Sequence, residues 1–502
     1  MRSSRITAVL LSCGLVATAC GGGSGSSGSA DVKNASLSPT GQAIQSGLIP
    51  ERDGFAFPNF GAGVSPEELD GADLVEMFGS SADVCKDGVA NPCVPTAEAA
   101  VWARMVNLAR QAGHCEGFAV LAASRFAEKA EKPTIQLTQV PDVTNGIIRA
   151  FATQYLPSVQ EETADWSKKS LADKVAVLTD DIADGKVDYS IGVYTKDGGH
   201  AVLPYSIETP SENTARIYVY DSNWPGQKRW IDVDTNDESW TFSYSGADPT
   251  NDPTAWTGGS SDFDMTSMKN RLNGKCPFCG SDTGVQKTIL VLRSESADWS
   301  VSTADGQLSP ENRDASFGNA RPVKSAEGDA PVDYVLVIDA AKPATFNLPG
   351  ASRMTGVTPS AAVDFDAPAG ADGGVVVQNN SISSSDPEVI VTLAAGDLAA
   401  TANGAETKIE VGGEAITAEV TTKSGETISQ TVNDATPTVE IKTEGNPTLA
   451  AGISYEVAAQ TGDAELTRTS VTADGNRSTT VENRVLDTTS VRPVLPPTLQ
   501  YT

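Results

Sequence analysis

GGHAVLPYSIETPSENTARIYVYDSNWPG, residues 198–226, reads as the two strands of one antiparallel hairpin. Apolar and polar residues alternate through HAVLPYSI and again through ARIYVYDS, and the polar stretch between them carries turn residues. Opposed positions in a hairpin add to a constant, so the turn fixes the register. A turn in TPSE (209–212) sets His200 opposite Asp221, and a turn in TPSENT (209–214) sets it opposite Asn223. Either register puts an imidazole and an acid or amide on one sheet face, with Cβ atoms about 5 Å apart. Only an odd slip or a bulge breaks that parity.

On either side of the hairpin, DYSIGVYT, WIDVD, WTFSY and VQKTILVLRS continue the strand pattern. Upstream the period is helical. AEAAVWARMVNLAR (97–110) spaces Val101, Met105 and Leu108 at helical intervals, and a second helix runs from about Cys115 to Lys129. VTNGIIRAFATQYL and SLADKVAVLTDDIADG are also amphipathic, the latter with Ser170 placed as N-cap. Helices followed by an antiparallel meander predict an α+β domain over residues 51–300. All seven tryptophans fall within it, between Trp102 and Trp299. The stretch QLSPENRDASFGNARPVKSAEGDAP reads as a linker, placed at 301–325. From 326 to 502, short alternating runs such as VDYVLVID, EVIVTLA and AITAEVTTK predict an all-β, sandwich-like tail.

The N-terminus fixes the compartment. Arg2 and Arg5 precede the apolar run ITAVLLSCGLVATA, which ends in small residues before Cys20. The run is shorter than the roughly 20 residues that a spanning helix needs, which favours a removed signal. It resembles a bacterial lipoprotein signal. That resemblance implies cleavage after residue 19, a lipid on Cys20, a flexible tether over 20–50 beginning GGGSGSSGSA, and an extracytoplasmic, membrane-anchored protein. An ordinary secretory signal is the alternative. Losing residues 1–19 removes two arginines and no acids, so the formal charge moves from −29 to −31. Such a chain lacks the basic face that nucleic acid requires.

Seven cysteines become five once Cys13 leaves with the signal and Cys20 carries lipid. In an oxidising compartment Cys85 with Cys93 and Cys276 with Cys279 are the pairs near in sequence, leaving Cys115 as the free thiol. The chain holds two histidines, so any cysteine–histidine chemistry uses His114 or His200. His114 adjoins Cys115 at a helix start and is expected to point away from it. A thiol at a helix N-terminus is favoured as thiolate, a nearby histidine holds its proton, and an acid or amide behind the ring fixes its orientation. Cys115, His200 and Asp221 are the candidate catalytic set, with Asn223 as the alternative orienter. The Cys115 N–H and a side-chain amide, Gln111 or less favourably Asn107, are candidates to receive an oxyanion.

These segments, Gly113-His114-Cys115-Glu116-Gly117-Phe118-Ala119, Gly199-His200-Ala201-Val202 and Tyr220-Asp221-Ser222-Asn223-Trp224-Pro225-Gly226, resemble those of papain-like and bacterial transglutaminase-like proteins, across roughly residues 95–240. The resemblance implies Cys115 as nucleophile, His200 as base and Asp221 as orienter, acting on a peptide or amide through a thioester. It departs at Ala109, where papain-type peptidases carry a glutamine, and at Ala201-Val202-Leu203, where transglutaminase-like chains often carry an aromatic residue. The competing reading is a noncatalytic surface-binding or structural protein, with the β tail docking an envelope partner. No cofactor or metal is expected. Cys276-Pro277-Phe278-Cys279 lacks the further ligands of a zinc site, and Asp232-x-Asp234-x-Asn236 lacks the glycine and glutamate of a calcium loop.

Overall fold

The computed structural model describes residues 37–483, apart from 86–87, 111–112, 197, 280–286, 324–332, 372–373, 396–397, 414, 422–426, 434–438, 445–454, 462–464 and 472–476. The signal, Cys20 and Gln111 lie outside the described residues. Eight α-helices are defined among them: α1 (Pro50–Asp53), α2 (Gly71–Phe78), α3 (Ala97–Ala109), α4 (Cys115–Ala127), α5 (Pro141–Ala152), α6 (Pro157–Trp166), α7 (Leu171–Ala183) and α8 (Met268–Leu272). Their starts follow local chemistry. Ser170 Oγ accepts the Asp173 N–H to open α7, Thr96 caps α3 in the same way, and Asp70 forms a capping box that nucleates α2.

The first sheet has eight strands: β1 (Ile44–Gln45), β2 (Tyr189–Thr195), β3 (Gly198–Ser211), β4 (Thr214–Tyr220), β5 (Arg229–Asp234), β6 (Ser239–Phe242), β7 (Trp256–Gly259) and β8 (Phe263–Ser267). The order β7-β6-β5-β4-β3-β2-β8 is an antiparallel meander closed by β8, with β1 paired to β3. Strand alternation sends neighbouring residues to different cores. Val202 packs with Leu171, Val175, Leu178 and Ile182 of α7, whereas Leu203 packs with Phe118 and Ala122 of α4. The buried Lys174 ties α7 to β8 by donating from Nζ to the Phe263 carbonyl at 2.7 Å. Burial brings its ammonium down to about 8, opposed by the charge of Asp264.

Helices preceding an antiparallel sheet give the expected α+β arrangement, but two boundaries differ. Residues expected to be tether are packed from Leu37 onward. Leu37 is buried, its N–H donates to the Glu212 carbonyl, and β1 pairs Ile44 with Ile207. The expected linker, 301–325, carries strand instead: β9 (Lys287–Ser294) leads into β10 (Ser300–Thr303), β11 (Gly306–Leu308), β12 (Asp314–Ala315), β13 (Gly318–Val323) and β14 (Asp333–Asp339). Polar composition suggested a loop there, yet Val301, Leu308, Phe317 and Ala320 are all buried.

Moreover, β9 belongs with the tail. It lies between β14 and the strand Ser352–Val357 in an eleven-stranded sheet, which faces a nine-stranded one. The reason is in its side chains. Leu290 and Leu292 enter the core between the two sheets, while Ile289 and Val291 face Trp102, Met105 and Val106 of α3. A strand buried on both faces reads as a continuous apolar run, as KTILVLRS does. Val335 and Val337 of β14 join the same helix-facing core, and Arg104 of α3 meets Asp364 at 3.3 Å. The helices and the sandwich therefore share a core rather than a hinge.

The disulfides are Cys85–Cys93 and Cys276–Cys279. Both lie beside the α3 core, where Phe278 packs edge-on against Phe78 at 5.5 Å. Such bonds persist in oxidising compartments. Among the described residues, no helix is long and apolar enough to cross a membrane.

Candidate active site

Cys115 is the first residue of α4. Its N-cap, His114, has φ −119° and ψ 27° and offers no side-chain cap, so its own side chain does not claim the first-turn donors beside the thiol. The glycines around it position the helix. Gly117 lies against α5 so tightly that a Cβ would sit 2.2 Å from the Ile147 carbonyl oxygen. Gly113 has φ +155°, and a Cβ there would approach Asn59 Nδ2 to 2.7 Å. Glu116 Oε1 accepts from Ser190 Oγ at 2.7 Å and pairs with the buried Arg271 guanidinium, fixing the helix start to β2 and α8.

His200 enters from the start of β3. The Asp221 Oδ1 carboxylate oxygen, just past the end of β4, accepts the His200 Nε2 hydrogen bond at 2.8 Å, with both side chains buried. The same oxygen accepts the Asn223 N–H at 2.8 Å, which holds the carboxylate in place. With Nε2 engaged, Nδ1 is the ring nitrogen left for Cys115, which acts on the ring through both hydrogen bonding and charge. Burial alone would lower the imidazole's pKa. The Asp221 charge and hydrogen bond, joined by those of Cys115, outweigh it and bring His200 up to about 10. Phe242 stacks on the ring at 6.0 Å and Tyr244 meets it edge-on at 5.2 Å.

Cys115, the free cysteine among the described residues, is half-buried and lines a pocket with His200, Asn59, Gln154, Tyr244 and Pro322. Pro322 comes from β13, so the sandwich supplies part of the wall. His114 is turned elsewhere. Its Nδ1 bonds the Phe60 carbonyl, and Arg110 Nη1 lies 3.3 Å from its Nε2. Burial, with Arg110 beside it, lowers its pKa to about 4, so it is a neutral core anchor at pH 7.

The alternative orienter does not reach the ring. Asn223 Oδ1 accepts from Asn59 Nδ2 at 3.0 Å, and its side chain bonds Tyr244. Asn107 is also committed elsewhere, to both backbone groups of Leu69 and to Arg110. Sequence reasoning missed Asn59 and Tyr244. Asn59 lies 56 residues before the cysteine, in Phe57-Pro58-Asn59-Phe60, and only the tertiary fold brings it near. Tyr244 stacks on Trp256 at 4.3 Å, and its phenol is raised to about 12 by burial and the Cys115 charge, against the Asn223 hydrogen bond.

Asp232 pairs with Arg216 at 2.7 Å, and Asp234 caps its own turn by accepting from the Asn236 and Asp237 N–H groups. Among the described residues no cluster of three or more histidine, cysteine or acidic side chains is placed to hold a metal. No family model, curated protein or solved structure matches the chain.

Proposed function

We propose that this chain is a cysteine-dependent acyl-transfer enzyme of the peptidase or amidase class, built on a papain- or transglutaminase-like plan. The observation that carries the reading is His200, held through Nε2 by Asp221 at 2.8 Å and sharing a pocket with the only unpaired thiol among the described residues.

In this reading the Cys115 thiol passes its proton to His200 Nδ1, and the resulting thiolate attacks the carbonyl carbon of a peptide or amide. The carbonyl π electrons move onto oxygen. When that intermediate collapses, the C–N bond breaks and His200 returns the proton to the departing amine, leaving a thioester on Cys115. Water, deprotonated by His200, or an acceptor amine then displaces the sulfur. Asp221 stays charged and holds the imidazolium. In this reading the chemistry lies outside the cytoplasm, tethered by a lipid on Cys20 as the resemblance of the N-terminus to a lipoprotein signal implies, with a peptide or amide substrate and the sandwich available to an envelope partner.

The test is the pH dependence of iodoacetamide labelling of the lipid-free protein, read by mass spectrometry on Cys115. Labelling that persists well below the ordinary thiol range of about 8.5, and that shifts upward in His200→Ala, supports the reading. An unlabelled Cys115, or labelling indifferent to His200, overturns it.

A further inference from the structure

We propose that Asn59 is a catalytic residue that receives the oxyanion alongside the Cys115 N–H, an assignment that rests on the acyl-transfer reading above. Three hydrogen bonds hold Asn59. Its N–H donates to the Ser222 carbonyl at 2.8 Å. Its Oδ1 accepts the His114 N–H at 2.7 Å, and its Nδ2 donates to Asn223 Oδ1 at 3.0 Å.

The amide is therefore a bridge between the loop that presents the nucleophile and the loop that presents the orienter. Its orientation is dictated by chemistry, since a backbone N–H at His114 requires an oxygen facing it and so places Nδ2 on the other side. An amide carries two N–H groups. Asn223 takes one, and among the described residues the other has no partner. Asn59 lines the same pocket as Cys115 and His200. Gly113, whose φ of +155° suits glycine, leaves the gap that lets the amide lie against the nucleophile loop.

A preorganised donor beside a helix N-terminus is what a developing alkoxide needs, because nothing has to reorganise when the charge appears. The Asn59 amide is fixed by bonds to both flanking loops, so its remaining N–H is spent on the tetrahedral species and not on holding the fold.

The experiment compares two probes of one thiol. Iodoacetamide alkylates the thiolate and forms no oxyanion. N-acetylglycinal, an aldehyde, adds the Cys115 sulfur to its carbonyl carbon, and the thiol proton ends on oxygen or the alkoxide is held by donors. Asn59→Ala and Asn59→Asp are compared with wild type, the aspartate retaining an oxygen for the His114 N–H; melting curves report folding. The expected result is aldehyde affinity reduced about 100-fold in both variants, with alkylation rates changed far less. Aldehyde affinity that stays put, or that falls only in step with alkylation, overturns the role of Asn59. A wild-type Cys115 that alkylates readily but does not bind the aldehyde overturns it as well. A wild-type Cys115 inert to iodoacetamide overturns the acyl-transfer reading itself, and this one with it.

Discussion

His200 and Asp221 are hydrogen-bonded at 2.8 Å although they are not opposed in the hairpin that carries them. Leu203 faces Tyr220, and extending that register sets His200 against Asn223. The carboxylate reaches the ring diagonally, from two residues nearer the turn. The hairpin also closes more tightly than its sequence suggests, with Ser211 opposite Thr214, and its register shifts twice, between Pro204 and Ser206 and between Glu208 and Ser211. Together the two shifts move the register by an even number, so the parity read from the sequence survives.

Asp221→Asn preserves the shape of that contact and removes its charge. The His200 ring is expected to titrate well below its wild-type value of about 10, and Cys115 alkylation near neutral pH to slow by about tenfold or more. With two histidines in the chain, ring resonances followed by NMR give the answer directly. An unmoved titration would remove Asp221 from the mechanism.

The two histidines also predict opposite limbs of the stability profile. His200 has a folded pKa near 10, above its ordinary 6.5, so its contribution is full below pH 6.5 and is lost as pH rises toward 10. His114, near 4 when folded, behaves the other way: its neutral form is native, and about 3 kcal/mol is lost as pH falls from 6.5 through 4. Melting temperatures across pH 3–10 should therefore drop at both ends. His200→Gln should flatten the alkaline limb alone and His114→Gln the acid one, and any exchange of those effects would contradict the assignments.

Gly117 and Gly146 make a matched pair on the α4–α5 contact. A Cβ at 117 would sit 2.2 Å from a backbone oxygen, whereas one at 146 meets the Leu121 Cδ2 methyl at 3.4 Å. Gly117→Ala is expected to cost about 2–3 kcal/mol in denaturant unfolding. Gly146→Ala should fall within about 1 kcal/mol of wild type, since the gain in helix propensity offsets a small adjustment of one methyl.

A fragment covering residues 37–286 contains the whole candidate triad but lacks β9. It leaves Trp102, Met105 and Val106 without Ile289 and Val291. It is expected to bind a hydrophobic dye strongly and to lose cooperative melting. A fragment that unfolds as sharply as the full chain would show that the shared core is dispensable.

Lipid attachment is checked in cells. Cys20→Ala should shift the protein from the membrane pellet to the soluble fraction and abolish incorporation of labelled fatty acid, with the remaining cysteines unchanged.

Much of the site was legible because it depends on local order. Ser170 caps α7, Cys115 begins α4, and hairpin parity brings an imidazole near a carboxylate, all through contacts of short range or simple periodicity. Pairing the nearest cysteines also gave the observed disulfides. What escaped depends on distant contacts. Asn59 reaches His114 across 55 residues, and nothing local in Phe57-Pro58-Asn59-Phe60 marks it. The role of β9 escaped because a strand buried on both faces advertises burial without naming its neighbours. The helix α2 is eight residues long, too short for its period to stand out, although Asp70 signals its start.

The placement of β9 and β13 bears on when the pocket around Cys115 becomes complete. Residues 115, 200 and 221 precede both in the chain: β9, which covers α3, begins at Lys287, and the pocket wall at Pro322 comes later still. The Cys115 thiol is thus made before its surroundings are finished. A chain caught midway through synthesis or transport carries Cys115 without its completed pocket, so the order of translation itself acts as a delay between making the thiol and enclosing it.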